Sequence, residues 1–199
     1  MFYRTFSSID KITEGLVASF SGLSANVGFK DDEVVRHVAT GTGQVKGTAV
    51  TWHEGDGGSP YDPLGAAVRN FVAAQVGDPR VRAWLPGEEF ALTVFQVRNY
   101  ADDRQNAHPS QGFHQGGGDH VLVTVVAEEN VNGAVHMLAT AEDETSLVFE
   151  RRLNPGETLL LDDRALTHHC TPFTPKAGGR AQRDVLVVSL TRTDGEGRS

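Results

Sequence analysis

Two histidines in the second half of the chain have the residue type and the spacing of a metal site. His114 opens the segment His114–His120, in which three consecutive glycines precede a strongly apolar run. Glycine lets the backbone approach an ion or ligand closely, and neutral imidazole is the commonest metal ligand. Taken alone, the segment is better explained as a tight glycine loop with a surface histidine. His168 changes this balance, because two histidines on neighbouring strands can converge on one metal ion.

An arginine adds a site for an anion. Arg183 begins an apolar strand that continues to Leu190. A guanidinium that points into the interior of a β-roll is costly unless it meets an anion. A metal, an anion and a roll interior together indicate a small dicarboxylate as cosubstrate.

Short β-rich runs supply the strands that must position these residues. Turn signals such as Asn132-Gly133 separate the runs, and no helical pattern lies between them. This spacing predicts a β-sandwich, a barrel or a jelly roll. The runs are Phe90–Val97, Val121–Ala127, Val135–Ala139, Ser146–Arg151, Thr158–Asp162, Ala165–Cys170 and Val185–Thr191.

Helices and further strands are predicted before this roll. Apolar residues at helical spacing predict one helix over residues 8–23 with Ser8 as its N-cap, and Asp62-Pro63 opens a second helix. Two strands are expected within residues 33–53. Residues 41–47 resemble a dinucleotide fingerprint with one residue too many, and they are better explained as the turn between these strands.

Length and composition indicate one acidic domain over residues 1–199. Residues 1–87 are expected to support a core at 88–191, and 192–199 to form a tail. The single cysteine, Cys170, excludes an intramolecular disulfide and favours a reducing, cytoplasmic location. The formal net charge of −8 disfavours a nucleic-acid polymer as partner. No apolar run is long enough to span a membrane, so no membrane partner is expected.

The chain resembles the iron(II)/2-oxoglutarate dioxygenases, in particular a small bacterial group of amino-acid hydroxylases. The matching motifs are His114-Gln115-Gly116-Gly117, Asn130-Val131-Asn132-Gly133, Leu159–Arg164 followed by His168, Arg183-Asp184-Val185-Leu186, and Gln96-Val97-Arg98 upstream. The resemblance covers residues 96–190 and implies a mainly β fold with flanking helices, the double-stranded β-helix or cupin-like jelly roll. It also implies that His114 and His168 bind Fe(II), that Arg183 binds 2-oxoglutarate, and that O2 is consumed.

Position 116 departs from the pattern of the hydroxylases. The family carries an aspartate there as the third protein ligand of iron, whereas this chain has Gly116. In this respect the chain is similar to the iron(II)/2-oxoglutarate halogenases, which carry Gly or Ala at this position. The resemblance implies that chloride binds beside Gly116 and Gly117, and that an unactivated carbon is chlorinated through a chloro-iron(IV)-oxo species.

Four alternatives to a halogenase stay open on the sequence. A shifted alignment would make Asp119 the carboxylate ligand. A hydroxylase could replace the missing carboxylate with water or another residue. The chain could also be an inactive relic, or a non-catalytic cupin-like binding domain.

Further residues near these motifs are candidates for supporting roles. Arg98 and His120 are predicted to contact the substrate, with an exposed salt bridge and a surface position as the respective alternatives. Asp162 and Asp163 are expected to orient Arg164 or a ligand histidine.

The expected substrate is a small, freely diffusing anionic metabolite, either a nucleotide or a free amino acid. No patch for docking a carrier protein is legible in the sequence. The loop over residues 53–61 is either a lid over the substrate or a plain surface loop.

Overall fold

The computed structural model describes residues 2–24, 36–54, 61–110 and 112–193, and this part of the chain is mainly β. Its helices are α1 (Glu14–Ser19), α2 (Ala66–Val76) and α3 (Pro79–Arg82), and 3-10 turns at Ile9–Lys11 and Phe20–Gly22 flank α1. Its strands are β1 (Tyr3–Ser7), β2 (Arg36–Lys46), β3 (Ala49–Trp52), β4 (Asp62–Pro63), β5 (Glu89–Ala101), β6 (His120–Glu129), β7 (Val131–Gly133), β8 (Val135–Thr140), β9 (Asp143–Arg152), β10 (Glu157–Asp162), β11 (Leu166–Cys170), β12 (Phe173–Pro175) and β13 (Ala181–Arg192).

The strands form two facing sheets and a small additional pair. The larger sheet has the order β1-β10-β6-β13-β5-β2-β3, with β4 beside β2, and the smaller sheet has the order β11-β8-β9. β12 pairs with β7. Strands that are distant in sequence lie side by side, and nearly all pairs are antiparallel, as in a jelly roll. The predicted fold class, a mainly β double-stranded β-helix with flanking helices, is confirmed.

Both faces of the larger sheet are covered. Successive side chains of a strand point to opposite faces. Leu160 and Leu186 pack into the core that α1 and α2 share with the sheet. Their neighbours Leu159 and Val185 pack instead against Leu138 of the smaller sheet. One face of the sheet thus carries the helices, and the other faces the interior of the roll.

The predicted helix over residues 8–23 is interrupted. Ile12 is extended, with φ −81° and ψ 112°, so the first turn cannot continue. Thr13 caps α1, because its hydroxyl accepts a hydrogen bond from the N–H of Leu16 at 3.1 Å. The prediction of Ser8 as the helix cap is wrong, since Ser8 is buried and bonds the hydroxyl of Thr158 at 2.8 Å.

The prediction of a turn over residues 41–47 is also wrong. β2 continues to Lys46, and the chain reverses at Gly47, where φ is +56°. A Cβ on Gly41 would lie 2.7 Å from Leu64 Cδ1, and one on Gly43 would lie 2.5 Å from the carbonyl oxygen of Thr51. These glycines allow close packing within a strand, which gives the same sequence pattern as a turn.

The strands predicted after residue 88 are present, and earlier residues extend the same sheet. β1 pairs with β10, and β2 pairs with β5 along its whole length. The first 87 residues therefore supply strands to the main sheet as well as helices. Within the described residues, no helix is long and apolar enough to cross a membrane. Residues 55–60 of the predicted lid and 194–199 of the predicted tail lie outside the described part.

Candidate active site

A cavity of about 280 Å³ opens between the two sheets. It lies on the face of the larger sheet that is turned away from the helices. Four of the residues singled out from the sequence line it together: His114, Gly116, His168 and Arg183. Most of its remaining wall is apolar, formed by Val97, Val121, Val123, Val185 and Val187.

A backbone bridge holds the two histidines beside each other. The N–H of His114 donates to the carbonyl of His168 at 3.1 Å, and the N–H of His168 donates to the carbonyl of His114 at 2.9 Å. The two ring centroids are 4.2 Å apart. The backbone thus holds both imidazoles side by side at the cavity.

The tautomer and the protonation state of His114 are those of a metal ligand. Its Nδ1 lies 3.1 Å from the carbonyl oxygen of Gly112, a contact that requires the proton on Nδ1 and leaves the Nε2 lone pair available. Burial lowers the pKa of His114, and the nearby His168 lowers it further. The ring is therefore neutral near pH 7, which is the form that binds metals.

A buried carboxylate lies next to the ring of His168. Asp163 is 1% exposed, and its Oδ1 accepts a hydrogen bond from the N–H of Gly116 at 2.9 Å. The same oxygen lies 3.5 Å from Nδ1 of His168. Its Oδ2 is buried and makes no hydrogen bond to any described residue. Asp162 is different, since its Oδ1 accepts from the N–H groups of Arg164 and Ala165 and closes the turn.

The glycine at position 116 faces the cavity. A Cβ there would lie 3.1 Å from Val121 Cγ2 and 3.5 Å from Asp163 Oδ2. The space that the missing side chain leaves is therefore bordered by a methyl group and a carboxylate. Gly117, the second predicted halide residue, is a turn residue with φ +83° and does not line the cavity.

Arg183 lies deep in the cavity and is 1% exposed. Its Nε donates to Glu128 Oε1 at 2.6 Å, and its Nη2 donates to His136 Nε2 at 2.8 Å. Its Nη1 approaches Cys170 Sγ at 3.5 Å. These contacts fix the plane of the guanidinium, so that it can present a fork of donors to an anion.

The neighbours of Arg183 are uncharged apart from Glu128. Burial and the positive charge of Arg183 hold the pKa of His136 well below its ordinary value, so the ring is neutral and accepts a hydrogen bond. Burial raises the pKa of the Cys170 thiol, so this side chain packs as a small uncharged residue. Glu128 also pairs with Arg152, so it balances two arginines.

Arg98 does not lie in the cavity, contrary to the prediction of a substrate contact. Its Nε and Nη2 donate to the two carboxylate oxygens of Asp184 at 2.6 and 2.7 Å, and both residues are buried. Arg98 pairs directly with Asp184 across β5 and β13, on the helix side of the sheet. Arg98 lies between Val97 and Asn99 in β5. Because adjacent residues of a strand point to opposite faces, these two neighbours face the cavity and Arg98 does not.

We expect Arg98→Met to reduce the stability of the protein rather than its substrate affinity. The variant leaves the carboxylate of Asp184 buried without its partner, a change that costs about 3–5 kcal/mol. Urea unfolding measures this loss, and the KM for substrate should stay unchanged. Lys46→Met, which breaks an exposed pair with Glu89, is the control and should leave the unfolding midpoint nearly unchanged. A raised KM with unchanged stability would place Arg98 at the substrate after all.

His120 and Asp119 also point away from the cavity. The ring of His120 packs edge-on against Trp84 on the helix side, with centroids 5.3 Å apart, so the predicted substrate contact is not supported. Asp119 Oδ2 accepts from the N–H of Arg192 at 2.7 Å, and Oδ1 pairs with Arg164. A shifted alignment with Asp119 as the metal ligand is therefore not supported by its position.

Several residues of the cavity were missed by reasoning from the sequence. Arg36 and Asn99 face each other across β2 and β5, and both line the cavity wall. His136 and Glu128 fix Arg183, as described above. Nothing in the sequence separates Arg36, Asn99 and Glu128 from other polar residues of strands. The signal that could have found His136 is its position in a predicted strand otherwise made of apolar residues.

The described residues can hold a metal ion whose remaining ligands come from other molecules. They contain no group of three His, Cys, Asp or Glu side chains arranged to hold a metal ion. The two imidazoles at one end and the guanidinium at the other can hold a metal and a carboxylate cosubstrate in one cavity. Such a cosubstrate can add its own oxygen ligands to the metal.

A family model described as "2OG-Fe dioxygenase" matches residues 66–189, more than half of the chain. The chain therefore belongs to this family, and it is an Fe(II)/2-oxoglutarate-dependent oxidoreductase. No curated protein matches the chain.

Several solved structures share this fold. A BsmA homologue from Methylobium petroleophilum is 18% identical, with a TM-score of 0.79 over 96% of this chain and 89% of that chain. IDO from Bacillus thuringiensis is 15% identical, with a TM-score of 0.74 over 96% and 90%. The Fe(II)/α-ketoglutarate-dependent dioxygenase TqaL is 17% identical, with a TM-score of 0.75 over 98% and 84%. At these identities the likeness concerns the fold.

Proposed function

We propose that this protein is a 2-oxoglutarate-dependent hydroxylase of a small anionic molecule. The observation that carries the proposal is the placement of His114, His168 and Arg183 around one cavity of the roll. The overall reaction is R–H + O2 + 2-oxoglutarate → R–OH + succinate + CO2. One oxygen atom enters the product and the other enters succinate.

His114 and His168 would hold the iron, and Arg183 would bind the distal carboxylate of 2-oxoglutarate. Iron together with 2-oxoglutarate supplies the oxidising chemistry, which the protein itself does not provide. The backbone bridge holds His114 and His168 side by side, and Glu128 and His136 hold Arg183 in a fixed plane. The valines of the wall keep water away from the reacting carbon.

Two polar residues of the cavity wall support an anionic substrate that also donates hydrogen bonds. Arg36 lines the cavity and brings a positive charge to it, which favours an anion. Asn99 Oδ1 is buried and accepts no hydrogen bond from the described residues, so it can accept one from a substrate N–H. The cavity must hold the cosubstrate and the substrate together. Its size favours a free amino acid over a nucleotide.

Halogenation is the second candidate, and Gly116 is the observation that favours it. The missing side chain leaves space beside the histidines in which chloride could replace a carboxylate. The reaction would be R–H + Cl⁻ + H⁺ + O2 + 2-oxoglutarate → R–Cl + succinate + CO2 + H2O. The family description, dioxygenase, supports hydroxylation instead.

Mass spectrometry of the product separates the two candidates. The protein is incubated in air with Fe(II), 2-oxoglutarate, chloride and a panel of free amino acids and nucleotides. We expect a product heavier by one oxygen atom, with succinate formed in equal amount. A product with the chlorine isotope doublet would establish halogenation. Succinate formation must also stop in the His168→Ala variant, and lack of any 2-oxoglutarate turnover with every substrate would contradict the proposal.

A further inference from the structure

Asp163 is a buried carboxylate whose two oxygens lie next to Gly116. We propose that Asp163 supplies, beside the two histidines, the negative charge that position 116 lacks, and that it thereby keeps halide ions out of the space left by Gly116. Asp163 is a positioning residue in this proposal, because it acts through His168 and through the backbone of Gly116. The inference rests on the proposed function, since it requires iron at the two histidines.

The hydrogen bonds of Asp163 leave part of its charge uncompensated. One N–H, that of Gly116, donates to Oδ1, while Oδ2 has no partner among the described residues. The adjacent Arg164 does not neutralise it, because its guanidinium pairs with Asp119. A carboxylate that is buried without a cation is unfavourable, so this arrangement favours a cation at the neighbouring histidines.

His168 connects the carboxylate to the site. Its Nδ1 is buried, forms no hydrogen bond to any described residue, and lies 3.5 Å from Asp163 Oδ1. A carboxylate at this nitrogen selects the tautomer with the proton on Nδ1 and makes Nε2 a stronger ligand. Asp163 would therefore strengthen metal binding without being part of a three-residue metal cluster.

The same carboxylate opposes a halide at position 116. The place of a Cβ on Gly116 is 3.5 and 3.7 Å from the two oxygens of Asp163. A chloride ion in that space would touch an anion of the same sign at van der Waals distance. Like charges at such a distance repel strongly in a buried site. The space beside Gly116 is therefore sterically free, but the negative charge of Asp163 makes it unfavourable for an anion.

Metal affinity gives the first test, because it requires no turnover. We expect Asp163→Asn to weaken the binding of Co(II), used in place of Fe(II), by about 10- to 100-fold in anaerobic titrations. Asp162→Asn removes a charge from the same turn and should leave Co(II) affinity unchanged. Equal affinities of Asp163→Asn and wild type would overturn the proposal.

Halide response gives the second test. The visible spectrum of the Co(II)-loaded wild type should not change on addition of NaCl in place of sodium sulfate. In Asp163→Asn, the bands should shift as chloride enters. A shift in the wild-type protein would overturn the proposal, and this measurement does not depend on the folding of any variant.

The third test is a double variant that moves the negative charge from position 163 to position 116. The φ of Gly116 is outside the left-handed region, and a Cβ there requires only a small movement of Val121, so the backbone accepts a side chain at this position. Gly116→Asp combined with Asp163→Asn should restore Co(II) affinity and abolish the halide response. Co(II) affinity that stays weak, or a halide response that persists, would count against the proposal. All three experiments measure binding, so their outcome is separate from whether the enzyme hydroxylates its substrate.

Discussion

Replacing His168 by alanine abolishes tight metal binding, and 2-oxoglutarate turnover is lost with it. The reason is that His168 would supply one of the two imidazole ligands in the proposed site, and the other, His114, cannot hold a metal alone. The loss of affinity for Fe(II) should exceed the roughly 10- to 100-fold cost of removing an outer-shell partner. Anaerobic titration with Fe(II) or Co(II) measures it directly.

The matched control is an exposed histidine that does not line the cavity. His53 is exposed and makes a long contact, 3.4 Å, with the hydroxyl of Thr42. His53→Ala should bind metal like the wild type. If His168→Ala also bound Fe(II) with wild-type affinity, the assignment of the metal end of the cavity would be wrong.

Replacing Arg183 by methionine removes 2-oxoglutarate binding while leaving metal binding in place. Losing one partner of a buried, hydrogen-bonded charge pair costs about 2–5 kcal/mol, which is roughly a 30- to 4,000-fold weaker affinity. The protein should remain folded, because Glu128 keeps Arg152 as its second partner. Calorimetric titration of the Mn(II)-loaded protein with 2-oxoglutarate measures the change.

Arg180→Met is the control for this prediction. Arg180 lies three residues earlier, is exposed, and stacks on the ring of Tyr100 at 3.4 Å outside the cavity. Its removal should leave 2-oxoglutarate affinity unchanged. Wild-type affinity in Arg183→Met would mean that the cosubstrate is held elsewhere.

The inward orientation of the motif residues was predictable from the sequence, because the position of a residue along a strand determines the face of the sheet to which its side chain points. His168 follows an apolar strand and a tight turn, and Arg183 opens the central strand, so both were expected to point inward. Their convergence with His114 in one cavity agrees with that expectation. Their roles as ligands remain predictions for the experiments above.

The face of Arg98 was not predictable in the same way. β5 is a central strand with both faces covered, so apolar residues occupy odd and even positions alike, as in Val94, Phe95 and Val97. Strands of this kind lack the alternation that identifies the inward face. Only the packing of α1 and α2 on the sheet determines which face carries Arg98.

Asp162 and Asp163 show a further limit of sequence reasoning. The two neighbours have the same chemistry, and both were expected to orient other residues. The structure separates them, because the turn after β10 directs Asp162 to backbone N–H groups and buries Asp163 beside Gly116. That distinction depends on contacts between segments almost fifty residues apart, which no local pattern encodes.

The paired backbone bonds between His114 and His168 make the loss of this site an all-or-none event. Each residue is both donor and acceptor for the other, so the segment around His114 cannot leave the roll without breaking both bonds and separating both rings. Any local opening of this segment would therefore disrupt the arrangement of both rings together.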